Sequence, residues 1–341
     1  MPAASANSLI TTNSNPSVKQ FIRYFSKIVA LATLFLIFVG GLVTSTGSGL
    51  AVPDWPLSYG SLFPPMVGGV FYEHGHRMVA ATVGFMSMCL TILLLRYEER
   101  RWVKRLGIAA LAAVIAQGIL GGLTVKFFLP PPVSVAHAVL AQTFFILTII
   151  IAYSQSKERE RRLQEVASIH PSIVRWTRIV VVVVYLQLII GAVMRHTASG
   201  LAIPDFPKMG GYWWPPLNEE MLQRINDWRF EMNMDPVHMG QVVIHLLHRV
   251  GAVAVCVSLC VLTVNVFKKS LKQSKLVKMI YFLNFLVAIQ IVLGAFTVLT
   301  RKEPHLTSLH VMIGAGILGT SALFFLQTAP LKWDEFKKMW D

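Results

Sequence analysis

Eight stretches of the chain, at about residues 25–46, 75–95, 106–127, 134–153, 177–196, 241–266, 277–299 and 306–328, are apolar and carry few charges. Each is close to the ~20 residues that a helix needs to cross the hydrocarbon core of a bilayer. In lipid every backbone polar group must be satisfied internally, which leaves helices or a closed barrel. These runs are continuous and not alternating, so they predict helices and exclude barrel strands. Only 14% of the 341 residues are charged and 54% are hydrophobic, as expected for an all-α membrane protein.

The net charge of +14 suggests nucleic acid at first sight, but its placement argues against that partner. Lys19, Arg23 and Lys27 precede or open the first span. Further groups are Arg96, Arg100, Arg101, Lys104 and Arg105; Lys157, Arg159, Arg161, Arg162, Arg175 and Arg178; Lys268, Lys269, Lys272, Lys275 and Lys278; and Lys332, Lys337 and Lys338. An even number of spans puts all of these, 22 of the 31 Lys and Arg, on the side of both termini. That side is predicted to be cytoplasmic or matrix-facing. The polar first residues read as a short tail, with a weak transit peptide as the alternative. Cys89, Cys256 and Cys260 lie inside predicted helices, so no outer-face disulfide is expected.

The chain also writes one sentence twice. SGLAVPDWP at 48–56 returns as SGLAIPDFP at 199–207, an offset of 151. Gly40-Gly41 aligns with Gly191-Ala192, and Gln117, Gly121, Thr124 and Val125 recur as Gln290, Gly294, Thr297 and Val298. The expectation is two homologous four-helix bundles in parallel repeat, with both termini on one side. Gln117/Gly121, Gln187/Gly191 and Gln290/Gly294 share a Gln-x-x-x-Gly pattern, whereas the first helix has Leu36 before Gly40. Such glycines admit a flat ligand or a close helix neighbour, and the letters leave both readings open.

Of ten histidines, His74, His170, His196, His238, His245 and His305 lie in loops, at helix ends or beside a stronger candidate. The other four, His76, His137, His248 and His310, each fall near the outer end of an even-numbered span. Ionisable groups at such positions are functional candidates. Two imidazoles facing each other across a bundle suit the two axial positions of a haem iron, one haem per half. Zinc asks for more ligands, with thiolate or carboxylate help; copper or a proton relay stays open. Arg77 and Arg249 follow two of the histidines and are candidates to pair with haem propionates, or to snorkel to head groups. One turn before those histidines lie Glu73 in the first half and His245 in the second, so the halves diverge at that point.

Taken together, GGLVTSTGSGLAVPDWP at 40–56, EHGHR at 73–77, His137, GAVMRHTASGLAIPDFP at 191–207, HLLHR at 245–249 and His310 resemble the haem A synthase family over about residues 25–328. The resemblance implies an oxidoreductase that converts a ring methyl of haem O to a formyl group, giving haem A for cytochrome oxidase. It implies a haem b cofactor on His248 and His310, and haem O received near Glu73, His76 and His137. As the carboxylate on the ligand face of that half, Glu73 is the candidate catalytic residue, stabilising a cationic intermediate or relaying its proton. Some bacterial members carry a cysteine pair in an outer loop, which this chain lacks.

The expected organisation is a tail at 1–24, a haem O bundle at 25–153, a linker at 154–176, a haem b bundle at 177–328 and a tail at 329–341. The SGLAxPDxP segments read as lids over two pockets, or as interfacial anchors. A bacterial inner membrane is expected, with a mitochondrial inner membrane as the alternative. Expected partners are haem O synthase and an electron donor, with a homo-oligomer left open. The competing readings are a di-haem cytochrome b that only transfers electrons, and a transporter. A transporter is disfavoured because no proline interrupts a predicted span.

Overall fold

The computed structural model describes residues 16–165, 169–270 and 274–329. Lys272 and the tail residues Lys332, Lys337 and Lys338 lie outside them, as do residues 1–15. The described residues are all-helical, and eight helices are long and apolar enough to cross a membrane. In chain order these are α1 (Pro16–Ser45), α2 (Gly69–Tyr97), α3 (Arg101–Lys126), α4 (Pro131–Ser154), α6 (Pro171–His196), α8 (Met239–Ser270), α9 (Ser274–Leu299) and α10 (Pro304–Thr328). Each contains one of the eight apolar runs, give or take a residue at its ends. Prolines open α4, α6 and α10, where the missing N–H has no intrahelical partner to lose.

Two shorter helices were not expected from the apolar runs. α5 (Lys157–Glu165) lies between α4 and α6 and is almost wholly charged. α7 (Glu219–Glu231) lies in the long connection between α6 and α8. Asn218 caps α7 by accepting from Met221 N at 3.0 Å, and Met221 and Ile225, one turn apart, bury completely against Ala202, Ile203 and Leu246.

α1 packs on α2 and α4, and α3 on α2 and α4; α6 packs on α8 and α10, and α9 on α8 and α10. Each group has its own apolar core, around Val83, Leu90 and Phe144 in one and around Leu262, Ile280 and Leu318 in the other. α10 and α6 join the groups by packing on α1 and α4, with Ile37, Phe145 and Ala315 at the seam. At the end of the bundle remote from the histidines, Glu98 accepts from Arg100 and Gln155, and Arg23 donates to the Gln155 carbonyl. Burial alone would raise the Glu98 pKa, but the bonds from Arg100 and Gln155 outweigh it and hold the carboxyl at about 2.

Candidate functional site

The two SGLAxPDxP segments fold into the same turn. The Asp54 carboxylate accepts from the backbone N–H groups of Tyr59 (2.7 Å) and Gly60 (2.8 Å), and Asp205 accepts from Gly210 (2.7 Å) and Gly211 (2.9 Å). Those bonds from Gly60 and Tyr59 hold the exposed Asp54 carboxyl below the usual carboxylate range. Gly60 and Gly211 sit at φ +69° and +87°, a region where a Cβ would be strained. Single backbone bridges Ser58–Ser61 and Met209–Tyr212 close the two turns, and Trp55-Pro56 and Phe206-Pro207 are both cis.

The first turn is fastened to α2 and the second to α8. In the first half, Glu73 is buried, accepts from Val52 N at 2.7 Å and pairs with Arg77 at 2.6 Å. Arg77 also donates to the carbonyls of Val52, Asp54 and Leu57. In the second half, buried His245 takes Glu73's place: Ile203 N lies 3.1 Å from its Nδ1 and Arg249 Nε 3.2 Å from its Nε2. Arg249 donates in turn to the carbonyls of Ile203, Asp205 and Lys208. A neutral imidazole accepts at one nitrogen only, so His245 satisfies one of its two donors where the Glu73 carboxylate satisfies both. Arg77 and Arg249, marked in the sequence as propionate partners, here commit both terminal nitrogens to the turns.

The four singled-out histidines lie in the first third of α2, α4, α8 and α10, and each faces a glycine of a neighbouring helix. A Cβ added to Gly40 would stand 3.1 Å from His76 Cε1, one on Gly121 3.5 Å from His137, one on Gly191 3.1 Å from His248, and one on Gly294 3.0 Å from His310. The glycines therefore make room for imidazole rings. The glutamines of the Gln-x-x-x-Gly pattern hold the same histidines one turn away. Gln117 donates to the His137 carbonyl at 2.9 Å and Gln187 to the His248 carbonyl at 2.8 Å, while Gln290 Nε2 lies 3.3 Å from His310 Nε2. The Trp55 ring lies against Gly122, next to the glycine that faces His137.

The His248 and His310 rings have centroids 6.5 Å apart. Two imidazoles bound to one metal at about 2 Å each place their ring centres about 6 Å apart. Among the described residues the buried Nδ1 atoms of His76, His137 and His310 have no hydrogen-bond partner, an unmet polar demand in an apolar cleft. Among the described residues no three His, Cys, Asp or Glu side chains gather as a metal cluster. Pairs of imidazoles backed by glycines fit a flat bis-imidazole macrocycle and not a zinc site.

Residues 67–322 match the sequence model of the COX15-CtaA family, described as cytochrome oxidase assembly protein. The chain belongs to this family. The match covers all four singled-out histidines, His76, His137, His248 and His310, and begins after the first SGLAxPDxP segment. Family relatives named heme A synthase include one from Halalkalibacterium halodurans, 26% identical over 314 residues, covering 89% of this chain and 96% of the relative. One from Bacillus cereus (strain G9842) is 27% identical over 301 residues, covering 86% and 88%. One from Bacillus licheniformis is 29% identical over 186 residues, covering 53% and 60%.

Proposed function

We propose that this protein is a haem A synthase of the bacterial inner membrane, an oxidoreductase that converts haem O to haem A. The observation that carries the reading is the pair of glycine-backed imidazoles 6.5 Å apart on α8 and α10, in a chain of the cytochrome oxidase assembly family. His248 and His310 hold haem b, and His76 and His137 hold the substrate, in two halves related as a parallel repeat. The histidine end faces outward, opposite the basic loops.

Turning a methyl into a formyl group is a four-electron oxidation that replaces two hydrogens with one oxygen. Haem b, when bound, supplies one-electron oxidation and reduction. The rest is the chain's own work. Glu73 fixes a negative charge beside the first pocket, where positive charge develops on the substrate, and the Glu73–Arg77 pair keeps the turn and Trp55 over that pocket. Gly40 and Gly121 leave the histidine rings room to meet the substrate. The apolar walls of α1 to α4 keep bulk water away. Haem O synthase delivers the substrate, and a separate redox partner exchanges electrons with the protein.

Pigment extraction tests the reading. The purified protein should yield haem b together with haem O or haem A, and His248→Ala or His310→Ala should remove the low-spin haem b. Two identical b haems and no haem O or A would make it an electron-transfer cytochrome instead. That rival is disfavoured by the family to which the chain belongs.

A further inference from the structure

The outer rims of the two pockets are built on the same backbone but carry opposite chemistry. One turn beyond Gly191 on α6 stands Arg195; one turn beyond Gly40 on α1 stands Thr44. Between α9 and α10, Arg301 and Lys302 adopt left-handed φ of 56° and 66°. Between α3 and α4, Phe128 and Leu129 do the same at 56° and 58°. Lys302 N bonds Thr297 O at 2.8 Å, and Leu129 N bonds Thr124 O at 2.7 Å. A Cβ on Gly200 would meet Lys302, and one on Gly49 would meet Leu129. At equivalent places the first half thus has Thr44, Phe128 and Leu129, and the second has three cations.

These cations are short of partners. Arg195 Nη2 donates to Gly41 O (2.7 Å) and Ser45 Oγ (2.8 Å) of α1, while its Nη1 and Nε have no acceptor among the described residues. Neither Arg195 nor Lys302 forms an ion pair there; the neighbouring Glu303 pairs with His305 at 2.9 Å. Desolvation, together with the guanidinium groups of Arg195 and Arg229, pushes the Lys302 ammonium below the usual lysine range. Asp235 faces Arg229, not Lys302. Uncompensated cations at the mouth of a bis-imidazole pocket call for an anion.

We infer that Arg195 and Lys302 bind the carboxylates of the porphyrin held by His248 and His310, and that the neutral rim of Thr44, Phe128 and Leu129 leaves the other pocket free to exchange its porphyrin. This rests on the haem reading above. The second pocket is retentive and keeps a cofactor; the first must admit a substrate and release a product. Arg77 and Arg249 do not distinguish the pockets, since both are tied to their turns.

The test gives each rim the other half's residues. Arg195→Thr with Lys302→Leu should speed the transfer of low-spin haem to excess apomyoglobin by at least about tenfold, since charge-assisted bonds to carboxylates are lost. It should also lower the midpoint potential of that haem, because removing cations favours the oxidised iron. Arg195→Lys, which keeps the charge, should stay near wild type. The reciprocal Thr44→Arg with Leu129→Lys should make the first pocket retain pigment through purification. Unchanged transfer and potential in the neutral-rim variant would overturn the inference while leaving the haem reading intact. The same result with loss of bound phospholipid would assign the cations to head groups and also overturn it. A Tm loss without a change of potential would reduce Arg195 to a strut onto α1, again against the inference. Absence of low-spin haem from the wild-type protein would remove the haem reading itself, and the inference with it.

Discussion

Replacing Glu73 with histidine puts into the first half the side chain that occupies the same place in the second. Glu73 is only 3% exposed and answers two donors, Val52 N–H and the Arg77 guanidinium. Histidine at 73 answers one and leaves the other without its partner. One unsatisfied buried donor costs about 1–3 kcal/mol. Arg77 keeps its bonds to the carbonyls of Val52, Asp54 and Leu57, which limits the loss. Glu73→Ala answers neither donor and breaks a buried pair, for about 3–5 kcal/mol. Thermal unfolding of the purified variants should therefore rank wild type above Glu73→His above Glu73→Ala. Pigment analysis then separates anchoring from chemistry. Glu73→His keeps the turn near its place but removes the negative charge, so haem b should stay in the second half while haem O accumulates. A normal yield of haem A from Glu73→His would refute the reasoning and leave Glu73 as an anchor alone.

Gly294→Val should displace His310, because even a bare Cβ there would stand 3.0 Å from the ring, and the absorption spectrum should lose its low-spin haem. The corresponding change at Gly122, to Ala, would put a Cβ 2.7 Å from Trp55 Cδ2 and should shift the turn, read as faster limited proteolysis between α1 and α2. With its carboxyl held at about 2, Glu98 contributes stability that is complete above the ordinary glutamate pKa and fades as pH falls toward 2. Wild type and Glu98→Gln should accordingly differ in Tm at pH 7 and converge in acid. A reporter fused within residues 208–218 should read as outside the cytoplasm, and a cytoplasmic signal would invert the assigned orientation.

The spans were legible because a bilayer imposes a length and an apolarity that few other constraints imitate. The four histidines stood out for a related reason: titratable groups are rare in such runs, and these recur at matched places. The Gln-x-x-x-Gly pattern was visible too, but not its purpose, since one letter string serves both helix packing and room for a ring. α7 was missed because it is short and polar, although Asn218 followed by Met221 and Ile225 is a capped helix start with an apolar face. What Glu73, His245, Arg77 and Arg249 hold could not be read from the letters. Their partners are backbone groups of Val52, Ile203 and their neighbours, and any residue supplies the same N–H and C=O. Arg195 escaped notice for a different reason: its reach to Gly41 and Ser45 crosses 154 and 150 positions, between helices that only the fold brings together.

α10 is the span most enclosed by protein: half of its most apolar window is buried, against a third or less in the other seven. It touches α1, α4, α6 and α9, carries His310, and its Ser308 hydroxyl meets that of Ser45 at 3.1 Å. It is also the last of the eight to leave the ribosome. Until it enters the bilayer, α1, α4 and α6 turn toward lipid the faces they will later share with it, and His248 stands without His310. On the proposed haem reading, pigment loads only once α10 has been made, and a nascent chain stalled before Pro304 should carry no low-spin haem. The described helices are closed by α10 in the way an arch is closed by its keystone.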